Sequence, residues 1–251
     1  MQKVFLSVVI PSYDEMANLQ KGVLDKIEHF LNKKKYAYEV IIVDDASTDG
    51  SIEFVRSFIK DNKNFKLIEN LHLGKAGTVT KGVLSAQGQY ILFADMDQAT
   101  PIEEVDKLLP YFEKGYDIVI GSRNSKRKGA PFTRVLMARG MMFLRSFVVG
   151  IKGISDTQCG FKMFRHDIVN YLFTKLKNLH SNPQKVSGSS VSAGFDVELL
   201  YLAQKIGYKI KEVDVNWLYV ETRRVSPLRD SVNGLGDLIR IKINDIRGRY
   251  R

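Results

Sequence analysis

Short apolar runs recur through the first half of the chain, at 6–10, 39–43, 65–68, 90–93 and 117–120. They do not alternate apolar with polar positions, which is the pattern of strands buried on both faces. Stretches with helical character lie between them, at about 14–35, 48–61, 74–87 and 102–114. Repeated strand–helix units predict an α/β fold: a mostly parallel sheet, flanked by helices and joined by right-handed crossovers. Ligands in such sheets bind beyond the carboxyl ends of the strands, so the polar residues just after each run are the ones to inspect.

The second half reads differently. Residues 131–151 form one long amphipathic pattern opened by Pro131. Residues 178–193 are small and polar and predict a loop. A helix near 195–206, a strand near 209–216 and a closing amphipathic helix near 227–247 follow, the last weakened by Gly234 and Gly236. No internal repeat and no linker divides the chain, so 1–251 is expected to be a single domain, with 1–121 and 122–251 as its two halves.

Composition narrows this picture. With 251 residues, 44% hydrophobic and 26% charged, the chain can bury a sizeable core. The single cysteine, Cys159, excludes an intramolecular disulfide and fits a reducing compartment. No run reaches the roughly 18 to 20 apolar residues needed to span a bilayer, and the start of the chain lacks the features of a secretory signal. A cytoplasmic protein is therefore expected. The net charge of +10 is unevenly spread: Arg123, Lys126, Arg127, Lys128, Arg134, Arg139, Arg145 and Lys152 stand in a stretch with no acid, and Arg240, Lys242, Arg247, Arg249 and Arg251 end the chain. Such a field attracts polyanions, whether nucleic acid, anionic lipid or a phosphorylated substrate. The single Trp217 and the absence of interleaved aromatic and basic residues argue against specific nucleic-acid binding.

Four polar clusters follow the strand-like runs. Pro11-Ser-Tyr-Asp-Glu15 ends the first; Tyr13 offers a flat face for a base, and Glu15 or Asp14 can accept hydrogen bonds from ribose hydroxyls. The plainer reading is a helix start with acids in its first turn. Asp44-Asp45 ends the second run, where a carboxylate can accept from a base imide or amine, and Ser47 can cap the next helix. Gly74-Lys75-Ala-Gly77 opens a helix, where glycine lets backbone approach an anion and Lys75 adds charge; the spacing is not that of a P-loop. Asp95-Met-Asp97 follows the fourth run, and alternate residues of an extended segment can turn both carboxylates to one site. Two carboxylates at that spacing suit a hard cation completed by water and diphosphate oxygens. His29, His72, His166 and His180 have no ligand-like spacing and receive no role.

These four clusters, in this order, resemble glycosyltransferase family 2 and its GT-A fold. The second half narrows the resemblance: Gly121-Ser-Arg123, Arg139, Asp156-Thr-Gln-Cys-Gly-Phe-Lys162, Phe195-Asp-Val-Glu198 and Val225-Ser-Pro-Leu-Arg-Asp230 look like the polyprenyl-phosphate transferases, nearest in pattern to the dolichyl-phosphate β-glucosyltransferases. The resemblance implies inverting transfer of a sugar, with UDP-glucose favoured and GDP-mannose the other candidate donor. The first half, 1–121, would bind the nucleotide sugar and 122–251 the acceptor. Pro11, Tyr13, Glu15, Asp44, Asp45, Gly74 and Lys75 would hold the nucleotide, and Asp95 and Asp97 Mg²⁺ or Mn²⁺. Arg123 and Arg139 would receive a polyprenyl phosphate. Asp97, Asp156 and Arg123 would act in the reaction. Where the mannose synthases place a glutamine after Asp-x-Asp, this chain has Ala99.

A phosphate acceptor changes what is asked of Asp156. A hydroxyl acceptor needs a general base, whereas a phosphate monoester, with its second pKa near 6, is already largely anionic at neutral pH. Asp156 is then expected to organise basic residues rather than take a proton. A lipid acceptor also requires a membrane surface or a membrane partner protein, and the basic, amphipathic 131–151 segment suits a helix lying peripherally at the cytoplasmic face of an anionic membrane. Two other readings stand beside this one. The first is a family 2 transferase acting on a saccharide hydroxyl. The second is a non-catalytic protein that binds sugar nucleotides or polyanions.

Overall fold

A computed structural model describes residues 3–123, 148–179, 193–218 and 227–250. Its centre is a seven-stranded sheet: β1 (Leu6–Ser12), β2 (Tyr38–Asp44), β3 (Phe65–Glu69), β4 (Tyr90–Ala94), β5 (Ile118–Ser122), β6 (Phe161–Arg165) and β7 (Ile210–Asp214). The order across the sheet is β3-β2-β1-β4-β6-β5-β7. Six strands run one way; β6 alone runs against its neighbours β4 and β5. The mostly parallel α/β fold expected from the apolar runs is the fold observed.

Both faces of the sheet are covered. On one side α4 (Gly74–Ser85), α7 (His166–Leu179), α8 (Ala193–Ile206) and α9 (Pro227–Ile246) contribute to a core that includes Val9, Ile41, Phe93, Ile120 and Phe164. On the other, α1 (Met16–Leu19), α2 (Val23–Leu31), α3 (Ser51–Asp61), α5 (Val105–Leu108) and α6 (Pro110–Glu113) surround Val8, Ile10, Ile42, Leu92 and Phe161. Every residue of β2 is buried, which is why its run of apolar residues does not alternate.

The helices differ in detail from the apolar pattern, for local reasons. The segment 14–35 is two helices, because Gly22 takes a left-handed φ of 70° between α1 and α2. α3 starts at Ser51, after Gly50 at φ 90°. In 102–114 a 3₁₀ turn, Ile102–Glu104, leads into α5, and Pro110, which has no N–H to give, starts α6. The sequence pattern does not reveal β6 and α7. The 131–151 helix lies outside the described residues up to 147, and the 178–193 loop outside them from 180 to 192.

At the amino ends of the strands one buried carboxylate joins four segments. Glu39 accepts from Ser7 Oγ at 2.6 Å, Gln87 N at 2.7 Å and Lys66 Nζ at 2.8 Å, and Ser7 Oγ in turn accepts from Gly88 N at 2.8 Å. Burial raises the Glu39 pKa, but these donors outweigh it and hold it below the usual glutamate value. A depressed folded pKa means stability that is present above the unfolded value and lost as pH falls through the folded one. Glu39→Ala is expected to lower stability by about 1–3 kcal/mol at neutral pH. In urea unfolding followed by circular dichroism, that difference should shrink as pH drops below the ordinary glutamate range.

Candidate active site

The carboxyl ends of β1, β2, β4 and β5 and the amino end of β6 meet along one edge of the sheet, and the polar clusters collect there. Two loops are tied first. Asp14, at φ 49°, accepts from Thr48 N at 2.8 Å while its own N–H donates to Ser47 Oγ at 2.8 Å. Glu15 N donates to Ser51 Oγ at 3.0 Å, and Met16 N to Asp49 Oδ2 at 2.9 Å. Glu15 Oε2 accepts from Asn18 Nδ2 at 2.5 Å. The Tyr-Asp-Glu turn is thus held by the β2–α3 loop and the start of α3 as well as by its own helix.

Both aspartates at the carboxyl end of β2 are buried and engaged. Asp44 accepts from Ser47 N and Ser47 Oγ at 2.8 and 2.6 Å. Asp45 reaches across to the start of α4, accepting from Leu73 N at 2.9 Å and Gly74 N at 2.8 Å, with His72 Nδ1 3.1 Å away. It therefore supplies the cap that Leu73 cannot, with its charge at the positive end of the helix dipole. His72, to which the sequence reading gave no role, lies flat against Tyr13 with ring centroids 4.5 Å apart. Two stacked rings are thereby brought together from two segments, with Asp45 at the edge of the His72 ring.

α4 lies close on the sheet because Gly82 has no side chain: a Cβ there would fall 2.4 Å from Val9 Cγ1 and 2.7 Å from Val43 Cγ2. This brings Lys75, in its first turn, to Asp95, with Nζ 2.7 Å from Oδ1. Burial disfavours the Lys75 ammonium, but Asp95, with Asp196 and Asp97 adding to it, keeps its pKa above the ordinary lysine value. Burial, with Asp95 close by, pushes the Asp97 pKa up. Asp97 Oδ1 accepts from Ala99 N at 3.0 Å, and Gln98, at φ 48°, turns back to give its Nε2–H to Asp95 O at 3.0 Å.

Two crowded carboxylates with an ammonium drawn onto one of them form a site with unmet demand for positive charge, and they fit a hard divalent cation. Among the described residues no group of three or more histidine, cysteine or acidic side chains is arranged to hold a metal ion.

Gly160 is the backstop of this pair. Its carbonyl accepts from Asp95 N at 3.1 Å, and a Cβ on it would lie 1.7 Å from Asp95 Oδ2. The turn that carries Gly160 is held by Lys162 of β6, which has no solvent exposure and donates to Cys159 O and Asp196 Oδ1, both at 2.6 Å. Stripping one partner from such a buried pair costs about 3–5 kcal/mol. Burial, with the Asp156 carboxylate next, pushes the Cys159 thiol up to about 11, so it remains a neutral packing group.

Arg123 and Asp156 form the other wall. The carboxylate grips the guanidinium with two bonds, Nε to Oδ2 at 2.7 Å and Nη2 to Oδ1 at 2.8 Å, and Oδ2 also accepts from Arg123 N at 3.0 Å. Asp156 is 1% exposed, and its own N–H donates to Glu212 at 2.7 Å. Burial works against the Arg123 charge, and the Asp156 bonds more than restore it, raising its pKa. The guanidinium carbon lies 5.9 Å from the Trp217 ring centroid. Nη1 takes no part in the grip on Asp156. Arg139 lies outside the described residues. Glu198 is wholly buried and accepts from Tyr250 Oη at 2.5 Å, which joins α8 to the segment after α9. A cavity of about 480 Å³ lined by Lys3, Tyr90 and Arg165 lies at the opposite edge of the sheet.

Comparison with known proteins gives the family and the fold. Residues 7–173 match the family model of glycosyl transferase family 2. A dolichyl-phosphate beta-glucosyltransferase of Dictyostelium discoideum is 34% identical over 99% of this chain and 77% of its own length. Glucosyl-3-phosphoglycerate synthase of Mycobacterium tuberculosis, solved with UDP, superposes with a TM-score of 0.65 at 17% identity, covering 95% of this chain and 80% of that one. A mannosyltransferase of Pyrobaculum calidifontis, solved with GDP-Man and Mn²⁺, gives 0.61 at 18% identity over 96% and 64%. At such identities the two structures support the fold.

Gly160→Ala should leave the fold near wild-type stability, because a carboxylate at the end of a side chain can swing aside. It should move Asp95 off Lys75 and lower activity by about 100-fold. Thermal unfolding together with Mn²⁺ titration checks this; unchanged Mn²⁺ affinity would contradict the backstop role.

Proposed function

This chain belongs to glycosyl transferase family 2, and from that premise we propose that it transfers glucose from UDP-glucose to a polyprenyl phosphate of the dolichyl type, with inversion. The observation that carries the acceptor assignment is the Arg123–Asp156 pair. A carboxylate 1% exposed, with both oxygens committed to one edge of a guanidinium, is poorly placed to act as a general base, but well placed to aim a cation at an anion. A transferase acting on a hydroxyl needs such a base; one acting on a phosphate does not.

In this reading the donor lies across the carboxyl ends of β1, β2 and β4. Its base rests on the Tyr13–His72 surface, and the ribose meets the Pro11–Glu15 turn. Lys75 and the N-terminus of α4 face the diphosphate. Asp95 and Asp97 would hold Mg²⁺ or Mn²⁺, which when bound would supply positive charge against the diphosphate. Arg123, aided by Arg139, holds the acceptor phosphate, whose oxygen attacks the anomeric carbon as the bond from that carbon to the diphosphate oxygen breaks. The nucleoside diphosphate carries away the electron pair, and no proton need move at the attacking oxygen. The homologous beta-glucosyltransferase supports the glucose and dolichyl-phosphate assignment. The UDP and GDP-Man complexes of the structural neighbours support a nucleotide-sugar donor, and the Mn²⁺ of one supports the cation. No described helix is long and apolar enough to cross a membrane. In this reading the lipid acceptor is met at an anionic membrane surface or from a membrane partner protein, on the cytoplasmic side.

Labelled UDP-glucose and, in parallel, GDP-mannose offered with a polyprenyl phosphate should give organic-phase product from UDP-glucose. Asp97→Asn should lower the rate by at least about 100-fold while the protein still folds. Full activity in that variant would overturn the metal assignment. For Asp156→Asn, the acceptor KM should rise with the pH–rate profile keeping its shape. Loss of an ionisation from the profile would instead identify a base and a hydroxyl-type mechanism.

A further inference from the structure

Helix α9 is apolar on two opposite faces. Leu238, Ile241 and Asn244 are buried on its inner side. On its outer side Leu235, Ile239, Ile243 and Ile246 are 40%, 49%, 41% and 76% exposed. At about 100° per residue, these four fall within about 80° of arc, opposite the buried set. Only the inner face is needed for folding, and a helix packed on a globular core ordinarily turns a polar face to water.

The charges are sorted in the same way. Lys242 borders the outer stripe on one side and Arg247 on the other, with Arg240 beyond it, all exposed. The acids with described side chains, Asp237 and Asp245, sit toward the inner flanks and are engaged: Asp237 with Gly194 N and Arg240, Asp245 with Lys205. The outer face is therefore apolar along its middle and cationic along its borders. A second copy of this chain would bring like charges together across such an interface. An anionic lipid surface suits both parts, acyl chains taking the isoleucines and headgroups the basic borders.

Position adds a third observation. Asp237 bonds Gly194 at the start of α8 and Asp245 pairs with Lys205 near its end, so α9 runs beside α8 in the same direction. The first turn of α8 carries Asp196, bound to Lys162 beneath the Asp95–Lys75 pair. The exposed stripe thus begins beside the candidate site and runs down one flank. We propose that the outer face of α9 seats this protein in the plane of an anionic bilayer, so that the site edge opens at headgroup level. This rests on the polyprenyl-phosphate reading and locates its membrane contact outside the 131–151 segment that the sequence pattern singles out.

Vesicle flotation of the full chain tests it, with phosphatidylcholine alone and with phosphatidylcholine mixed with phosphatidylserine. Wild type should float with the mixed vesicles. Ile239→Ser with Ile243→Ser should lower partitioning at least about tenfold. Lys242→Glu with Arg247→Glu should abolish the preference for phosphatidylserine. Both variants should keep wild-type transfer to a water-soluble short-chain polyprenyl phosphate. Unchanged flotation of the variants, no flotation of wild type, or a halved sedimentation mass in the isoleucine variant (a second copy covering the face) would overturn the proposal. Failure of every form to use the soluble acceptor would sink the acceptor reading instead, and flotation would still decide the role of α9.

Discussion

A lysine ammonium with no access to water sits in the middle of the sheet, and its neutralisation orders the site around it. An unpaired charge in that position would be untenable. Lys162 therefore takes the Asp196 carboxylate from α8 and the Cys159 carbonyl from the turn before its own strand. The first bond fixes where α8 begins; the second fixes the turn whose glycine touches Asp95. One buried cation thus links the reversed strand, the helix above it and the carboxylate pair at the sheet edge.

The edge itself is built from polar groups that serve two purposes. Asp45 caps α4 and meets the edge of the His72 ring; Asp14 and Asp49 bind one loop to another. Such dual use makes a preorganised site, because the groups that would face a ligand are already held by backbone donors. It also explains why two adjacent aspartates at the end of β2 are compatible with near-complete burial: between them they accept hydrogen bonds from Ser47, Leu73 and Gly74.

Much of this was legible in the sequence where the signal is local. β1, β2, β4 and β5 announce themselves as apolar runs because both faces of each are covered, and Asp95-Met-Asp97 stands where a parallel sheet presents its ligands. β6 was hidden because Lys162 interrupts its run, and that charge is acceptable only through a partner 34 residues away. His72 gave no sign because its partners, Tyr13 and Asp45, come from two other loops. The split of 14–35 turned on one left-handed glycine, which helical periodicity does not register.

The grip of Asp156 on Arg123 has a consequence for how the chemistry responds to acidity. An arginine whose pKa is raised further by a buried carboxylate stays cationic throughout the range in which the protein is folded. Its positive charge behaves as a fixed electrode rather than a titrating group. If an anion must dock there in its doubly charged form, the acid limit of the reaction is written in the second ionisation of the bound phosphate, near 6, and not in any side chain of the wall that receives it.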